Sequence, residues 1–461
     1  MSSDKPTYRM AHWAVNVSRE RTLAADVQRE AKRGLCDLYG CLVGGSVEPA
    51  PQQVAKFAKS LGAGSQGPCT LVGHPERVSA PAAAYANGAA SHILDFDDSF
   101  RPLTGHPSCT IVPAILAVAE EYHKSGDDLI DAYVVGIEMA ATMGRAAPKH
   151  HDVGWHGTAT VGVITSAVAC ARLLKLDVDA TVSAISIAVS SASGGRIQIG
   201  YDVKCIQPGA AARDAVIAAY LAKQGVKGCP EVLTGPWGWS KLYSHLDKDG
   251  SEYTFPTAEQ PLAIIHPGIT FKPYPTCGST HRTLNAVLDM CEKNDIKAAD
   301  VQSIETIVPH LNVLNLRYPD PANGMQARFS MPYTCSLAVL YRRLRLSDFE
   351  DEAIQRPEVQ ALMPRVRMIQ LEGSEHTDKT FLEMPCYTKI TLNSGVSYED
   401  TRYHRRGEAT APMTSKEDEM KFLDCTGKVY SPYKAQEVFK ILHNLGEISD
   451  VGYLMALSKA S

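Results

Sequence analysis

The chain lacks an apolar run clean enough to cross a membrane. Its longest uncharged stretch, Val153 to Ala171, reaches spanning length only by taking in Trp155, His156 and several Thr and Ser, whereas a bilayer core calls for about 20 predominantly apolar residues. It reads as a loop followed by a buried helix. No C-x-x-C pair occurs among the 12 cysteines, which are scattered from Cys36 to Cys425. That spacing speaks against a zinc cluster. The segment Met1 to Arg9 is polar and carries no signal or transit pattern, so free buried thiols and a cytoplasmic location are the expectation. Neither sign of charge dominates: the formal net charge is −5, with Lys and Arg dispersed. No basic stripe exists for nucleic acid, and an anionic ligand has to be met by local groups. Also missing are G-x-x-x-x-G-K-[ST], G-x-G-x-x-G after a strand, and G-x-S-x-G. Phosphoryl-transfer, hydride-transfer and α/β-hydrolase chemistry lose their sequence support.

What is present is the balance of a folded protein, 44% hydrophobic and 21% charged. At 461 residues the chain exceeds one ordinary core, so two domains are expected. No repeat of 20 to 50 residues stands out, which argues against a solenoid. From Val27 to Leu42 the apolar residues Val27, Ala31, Leu35, Leu38 and Leu42 recur in steps of three and four, the helical period. Similar patterns at 82–92, 110–124, 129–145, 158–174, 180–190 and 209–223 are rich in Ala and Gly, which lets helices approach closely. With no alternating strand before about residue 265, this portion predicts an all-helical domain.

Pro261, Pro267, Pro273 and Pro275 mark a boundary. Beyond it, 303–309 alternates as a strand, and 387–392 with 396–403 reads as a hairpin through Asn393, Ser394 and Gly395. Helical stretches at 280–293, 333–342 and 356–363 lie between them, and 416–422 and 435–445 are helical again. The expected fold is mainly α: a large helical domain, residues 1–266 completed by 408–461, with a smaller α+β lid at 267–407.

The densest chemistry is His92-Ile-Leu-Asp95-Phe-Asp97-Asp98-Ser99 followed by Gly105-His106-Pro107-Ser108. Three carboxylates and two imidazoles next to a helix start suit an anion site, although Asp and Ser also serve as plain helix caps. A Mg²⁺ site is the other use of such carboxylates. The lysines elsewhere offer themselves to substrate carboxylates instead, and no metal is expected. His156 lies between Gly154-Trp155 and Gly157-Thr158; alone it reads as a cap or core histidine. Lys204, between Val203 and Cys205, is poorly placed for a solvated face. Lys272 is set among prolines that fix its backbone, with His281 nine residues on. Two lysines, several imidazoles and an aspartate suit removal of a proton from carbon beside a carboxylate, with cations neutralising the enolate-like state.

These segments, in this order and together with Ala327-Arg-Phe-Ser-Met-Pro-Tyr333, resemble the MmgE/PrpD family over almost the whole chain. The resemblance implies a homodimer of helical domain plus lid, a small di- or tricarboxylate substrate and no cofactor. It implies a catalytic set of Asp95, His106, His156, Lys204 and Lys272, with Ser99, Gln207 and His281 binding substrate. Its implied activity is a lyase of the 2-methylcitrate dehydratase or cis-aconitate decarboxylase kind. An iminodisuccinate-type epimerase is the runner-up, and a non-catalytic carboxylate-binding member is the rival of another class. One departure stands out: the family commonly reads T-K-P-L/M-H where this chain has Val203-Lys204-Cys205-Ile206-Gln207. A glutamine hydrogen-bonds but cannot act as an acid near neutral pH.

Overall fold

The computed structural model describes residues 4–61, 67–244, 250–375 and 383–458. Where apolar residues recur in steps of three and four, the chain is helical. The 27–42 pattern is the inner part of helix Ala25–Gly45, which buries Val27, Ala31, Leu35, Leu38 and Leu42. Helices Ala80–Ile93, Ser108–Glu121, Gly126–Ala146, Gly162–Leu173, Val178–Ser190 and Val203–Lys223 follow, and they pack on one another through small side chains. The fold is mainly α, with a smaller α+β part.

Two hydrophobic clusters carry most of the core. The larger gathers residues from Met10 to Phe271 and adds Met413 to Met455. The C-terminal helices Ser415–Thr426 and Pro432–His443 lie against helix Ala25–Gly45. The second cluster runs from Leu284 to Ile390. It covers a four-stranded sheet.

Counting strands along the chain, β1 (Cys69–Thr70) and β2 (Arg77–Val78) form a small antiparallel ribbon. The main sheet comprises β3 (Val301–Val308), β4 (Val366–Gln370), β5 (Cys386–Leu392) and β6 (Ser397–Arg402), in the order β4-β3-β5-β6. β3 pairs in parallel with β4, Ile304 opposite Val366, and antiparallel with β5, Ile304 opposite Ile390. The β5–β6 hairpin closes through Gly395 at φ +86°.

Three features differ from the sequence expectation. The ribbon β1–β2 interrupts the helical region, and its strands are two residues each, too short to show a period. β4 has no clean alternation: only Val366 is fully buried in it, since it lies at the sheet edge. The helix expected from 209 begins at Val203, with Pro208 inside its second turn, where a proline removes one backbone bond near the end and not the middle of the ladder. This earlier start puts Lys204 in the first helical turn.

Candidate active site

Two glycines bring the site together. Gly88 on helix Ala80–Ile93 faces Gly209 on helix Val203–Lys223, and a Cβ on Gly88 would stand 2.7 Å from the Gly209 Cα. A Cβ on Gly209 would stand 2.4 Å from the Tyr85 carbonyl oxygen. Backbones this close leave no room for a side chain. The end of the first helix therefore meets the start of the second, His92 against Lys204.

Past His92 the helix ends and the backbone turns at Asp95, which has φ +49°. Left-handed backbone is costly for most residues and more tolerable for Asp. The turned carbonyls are met by buried cations from distant segments. Arg328 donates to the Leu94 carbonyl. Lys272 Nζ donates to the Asp95 carbonyl at 2.8 Å, and Lys421 Nζ to that of Phe96 at 2.7 Å. Ser99 then pairs with Thr270 through two backbone bonds of 2.8 Å, which ties this loop to the segment carrying Lys272.

At the centre, Asp95 Oδ1 accepts from Lys204 Nζ at 2.8 Å and lies 3.5 Å from Lys272 Nζ. One carboxylate thus faces two ammonium groups. Burial opposes ionisation of Asp95, but Lys204 and Lys272 outweigh it and hold the carboxyl well below the usual range. For Lys204, burial works against the ammonium and Asp95 outweighs it, raising the pKa. Lys204 Nζ also stands 2.7 Å from His92 Nε2, whose other nitrogen is 2.8 Å from Asp97 Oδ2.

The imidazoles of His106 and His156 flank His92, with ring centroids 4.9 and 5.7 Å from it. Removal from water pushes His106 down to about 3 and lowers His92 and His156 as well. All three are neutral bases near pH 7. His106 Nδ1 lies 2.5 Å from the Asp98 carbonyl oxygen. Gln207 Nε2 donates to the Gly195 carbonyl at 3.1 Å, so its Oε1 is the acceptor facing His156 Nδ1 at 2.7 Å. That arrangement puts the His156 proton on Nδ1 and the lone pair on Nε2. Asp98 is buried beside Ser108, and burial pushes its carboxyl up to about 8.

His281 is fully buried behind Lys272. Its Nε2 donates to the Thr276 carbonyl at 3.2 Å, and its Nδ1 has no hydrogen-bond partner among the described residues. Ser99 is half-buried, and its Oγ accepts from Arg405 at 2.7 Å. The structure therefore brings together Asp95, His106, His156, Lys204, Gln207 and Lys272, with His281 buried nearby and Ser99 joined to the group through Thr270 and Arg405, although both ends of the Gln207 amide are taken up by protein groups. A cleft of about 1430 Å³ adjoins this group without containing the imidazoles; Phe96, Pro273 and Arg405 line it.

His92, Asp97 and His106 offer ligand atoms within 4.8 Å of one another, a possible cation site. The Lys204 ammonium, 2.7 Å from His92 Nε2, would repel a cation there.

Residues 8–251 match the family model described as the MmgE/PrpD N-terminal domain, and residues 274–447 the one described as the MmgE/PrpD C-terminal domain. The chain belongs to the MmgE/PrpD family. Among its relatives, human cis-aconitate decarboxylase is 27% identical over 94% of this chain and 90% of its own. The Aspergillus terreus cis-aconitate decarboxylase is 25% identical over 98% of this chain and 95% of its own. The 2-methylcitrate dehydratase of Salmonella typhimurium is 24% identical over 62% of this chain and 61% of its own.

Two residues in contact with this cluster, His92 through Lys204 and Arg405 through Ser99, escaped the sequence reading. His92 belongs to the acidic cluster but was left out of the site set; its signal was the apolar helix ahead of it, which makes an imidazole there a buried one. Arg405 gave no signal at all, since Arg405-Arg406 in a polar stretch looks like solvated surface.

Proposed function

We propose that the chain is a lyase acting on a small tricarboxylate, moving a proton at a carbon next to a carboxylate. The observation that carries this reading is the pair Lys204 and Lys272 sharing the single carboxylate of Asp95 beside neutral imidazoles. The two ammonium groups attract a bound polyanion and neutralise the charge that builds up in the reaction.

His156 Nε2 is the proton-transfer atom in this mechanism, because Gln207 leaves the lone pair there. A polyanion beside the imidazole raises its pKa, so it takes up a proton on binding. In decarboxylation the C–CO₂⁻ bond breaks and its electron pair passes into the conjugated carboxylate as a dienolate. Carbon dioxide leaves, and the Nε2 proton is delivered to carbon. Dehydration uses the fraction of bound enzyme in which the imidazole has not taken up that proton: Nε2 accepts the proton from carbon, the electron pair forms the double bond, and hydroxide leaves as water with a proton from Lys204. Decarboxylation is favoured, since the relatives aligned over nearly the whole chain carry the name cis-aconitate decarboxylase. The reading also takes in a homodimer and chemistry without a cofactor, as the family resemblance implies, a lid at residues 267–407, as the proline-rich boundary suggests, and a cytoplasmic location, as the polar Met1 to Arg9 segment suggests.

The test is a panel of cis-aconitate, citrate, 2-methylcitrate and iminodisuccinate, reading CO₂ release, water loss and stereochemical exchange. The expected result is CO₂ release from cis-aconitate, reduced about 100-fold or more in Lys272→Ala and in His156→Ala with unchanged circular dichroism. Exchange on iminodisuccinate alone would assign an epimerase, binding without turnover a carboxylate-binding member. Wild-type rates in either variant would remove that residue from the mechanism.

A further inference from the structure

Four buried cations other than the two catalytic lysines lie near the site, and their partners set one apart. Arg282 donates to the Met384 carbonyl. Lys421 is neutralised by Asp37 at 2.6 Å. Arg328 spends its guanidinium on the carbonyls of Leu94 and Pro275 and on the face of Phe349. Arg405, 8% exposed, donates to Ser99 Oγ at 2.7 Å, and its nearest carboxylate oxygen is Glu408 Oε1, 3.5 Å from Nε. That carboxylate is shared with His404 Nδ1 at 3.0 Å, and Arg405 Nε makes no hydrogen bond among the described residues. A guanidinium removed from water and left this incompletely paired is costly unless an anion completes it.

We propose that Arg405 is the third cation of this site, taking the substrate carboxylate that Lys204 and Lys272 do not hold and so selecting a tricarboxylate over a dicarboxylate. The inference deepens the lyase reading and rests on it for the site's location. Arg405 follows β6 in the lid, and its contact with Ser99 carries it across to the loop of Asp95. Gly278 makes room for it: a Cβ there would stand 2.1 Å from Arg405 Nη1. The unpaired Nδ1 of His281 and Oδ2 of Asp95 are two further buried polar atoms without partners in the same neighbourhood, which marks it as built for a polar guest. A planar fork of N–H groups suits a carboxylate better than an ammonium does.

The chemistry of two unreactive ligands separates this role from that of a latch between lid and body. Propane-1,2,3-tricarboxylate and glutarate differ by one carboxylate. Titration calorimetry on the full chain is expected to show that the wild type prefers the tricarboxylate. Arg405→Gln, which can still donate to Ser99, loses about tenfold or more on the tricarboxylate with glutarate unchanged, and Arg405→Lys falls between. Gly278→Ala gives the same selective loss with Arg405 in place. Equal losses on both ligands, no loss, or a wild type that fails to prefer the tricarboxylate overturns the proposal. Tricarboxylate preference without release of CO₂ or water from any tricarboxylate of the panel would sink the lyase reading alone. Turnover of cis-aconitate with an unchanged kcat/KM in Arg405→Gln would sink this one alone.

Discussion

Gln207 decides which nitrogen of His156 is free for chemistry. It is also the position at which the chain departs from the family's usual histidine, and its amide has to point one way because its nitrogen is committed to the Gly195 carbonyl. A carboxylate in its place would stabilise the imidazolium through a nearby negative charge. Burial holds the His156 pKa well below its ordinary value, and as the acid of the decarboxylation His156 sets the alkaline limb of kcat/KM, which in the wild type begins below pH 6.5. In Gln207→Glu the limb moves up by about one unit or more. An unmoved limb in the pH–rate profile would take His156 out of the proton transfer. Asp98 gives a second test at this scale. Its folded pKa of about 8 exceeds the roughly 3.9 of an unfolded aspartate. The folded state therefore binds more protons between those values, and its stabilisation, complete below the lower value, is lost as pH rises to the upper one. Asp98→Asn stays neutral throughout. Its Tm relative to wild type rises steadily from pH 4 to 8 and then levels; a difference independent of pH would show that Asp98 is ionised. In the sequence, the triple Asp95, Asp97, Asp98 was legible as a cluster, but its three different fates were not, because they depend on Lys204, on His92 and, for Asp98, on burial with no cation beside it among the described residues.

The element that organises the site is the short turn after helix Ala80–Ile93. Its successive carbonyls at Leu94, Asp95 and Phe96 are each held by a cation from elsewhere in the chain, and no local pattern could reveal that. Lys421 belongs to the C-terminal helix Ser415–Thr426 and joins Asp37 to the Phe96 carbonyl. Removing one partner of a buried pair leaves the other uncompensated, which costs about 3–5 kcal/mol. Lys421→Met is expected to lose that much in urea unfolding, with residual activity reduced because Phe96 adjoins Asp95. A loss under about 1 kcal/mol would mean that the pair is solvent-screened. Amphipathic spacing made the long helices readable. It missed β4, an edge strand with one buried residue, and it began the Lys204 helix at 209 where the structure begins it at Val203, with Pro208 tolerated near the helix start.

Across the whole molecule the site lies where the two parts of the fold meet. The helical part supplies Asp95, the imidazoles of His92, His106 and His156, and Lys204. Lys272 comes from the proline-rich boundary itself, and His281 and Arg405 from the segment after it. The sequence made the mainly α character and the change of texture near residue 267 legible, since both are matters of local period and proline content. The junction itself depends on contacts between residues hundreds of positions apart, such as Ser99 with Arg405, which periodicity does not encode. The most direct test of the central claim is turnover of cis-aconitate in deuterated water, followed by mass spectrometry. Loss of one CO₂ with one deuterium placed on carbon, abolished together in His156→Ala, is the predicted result. Failure to release CO₂ or water from any tricarboxylate in the panel, with the protein folded, would contradict it.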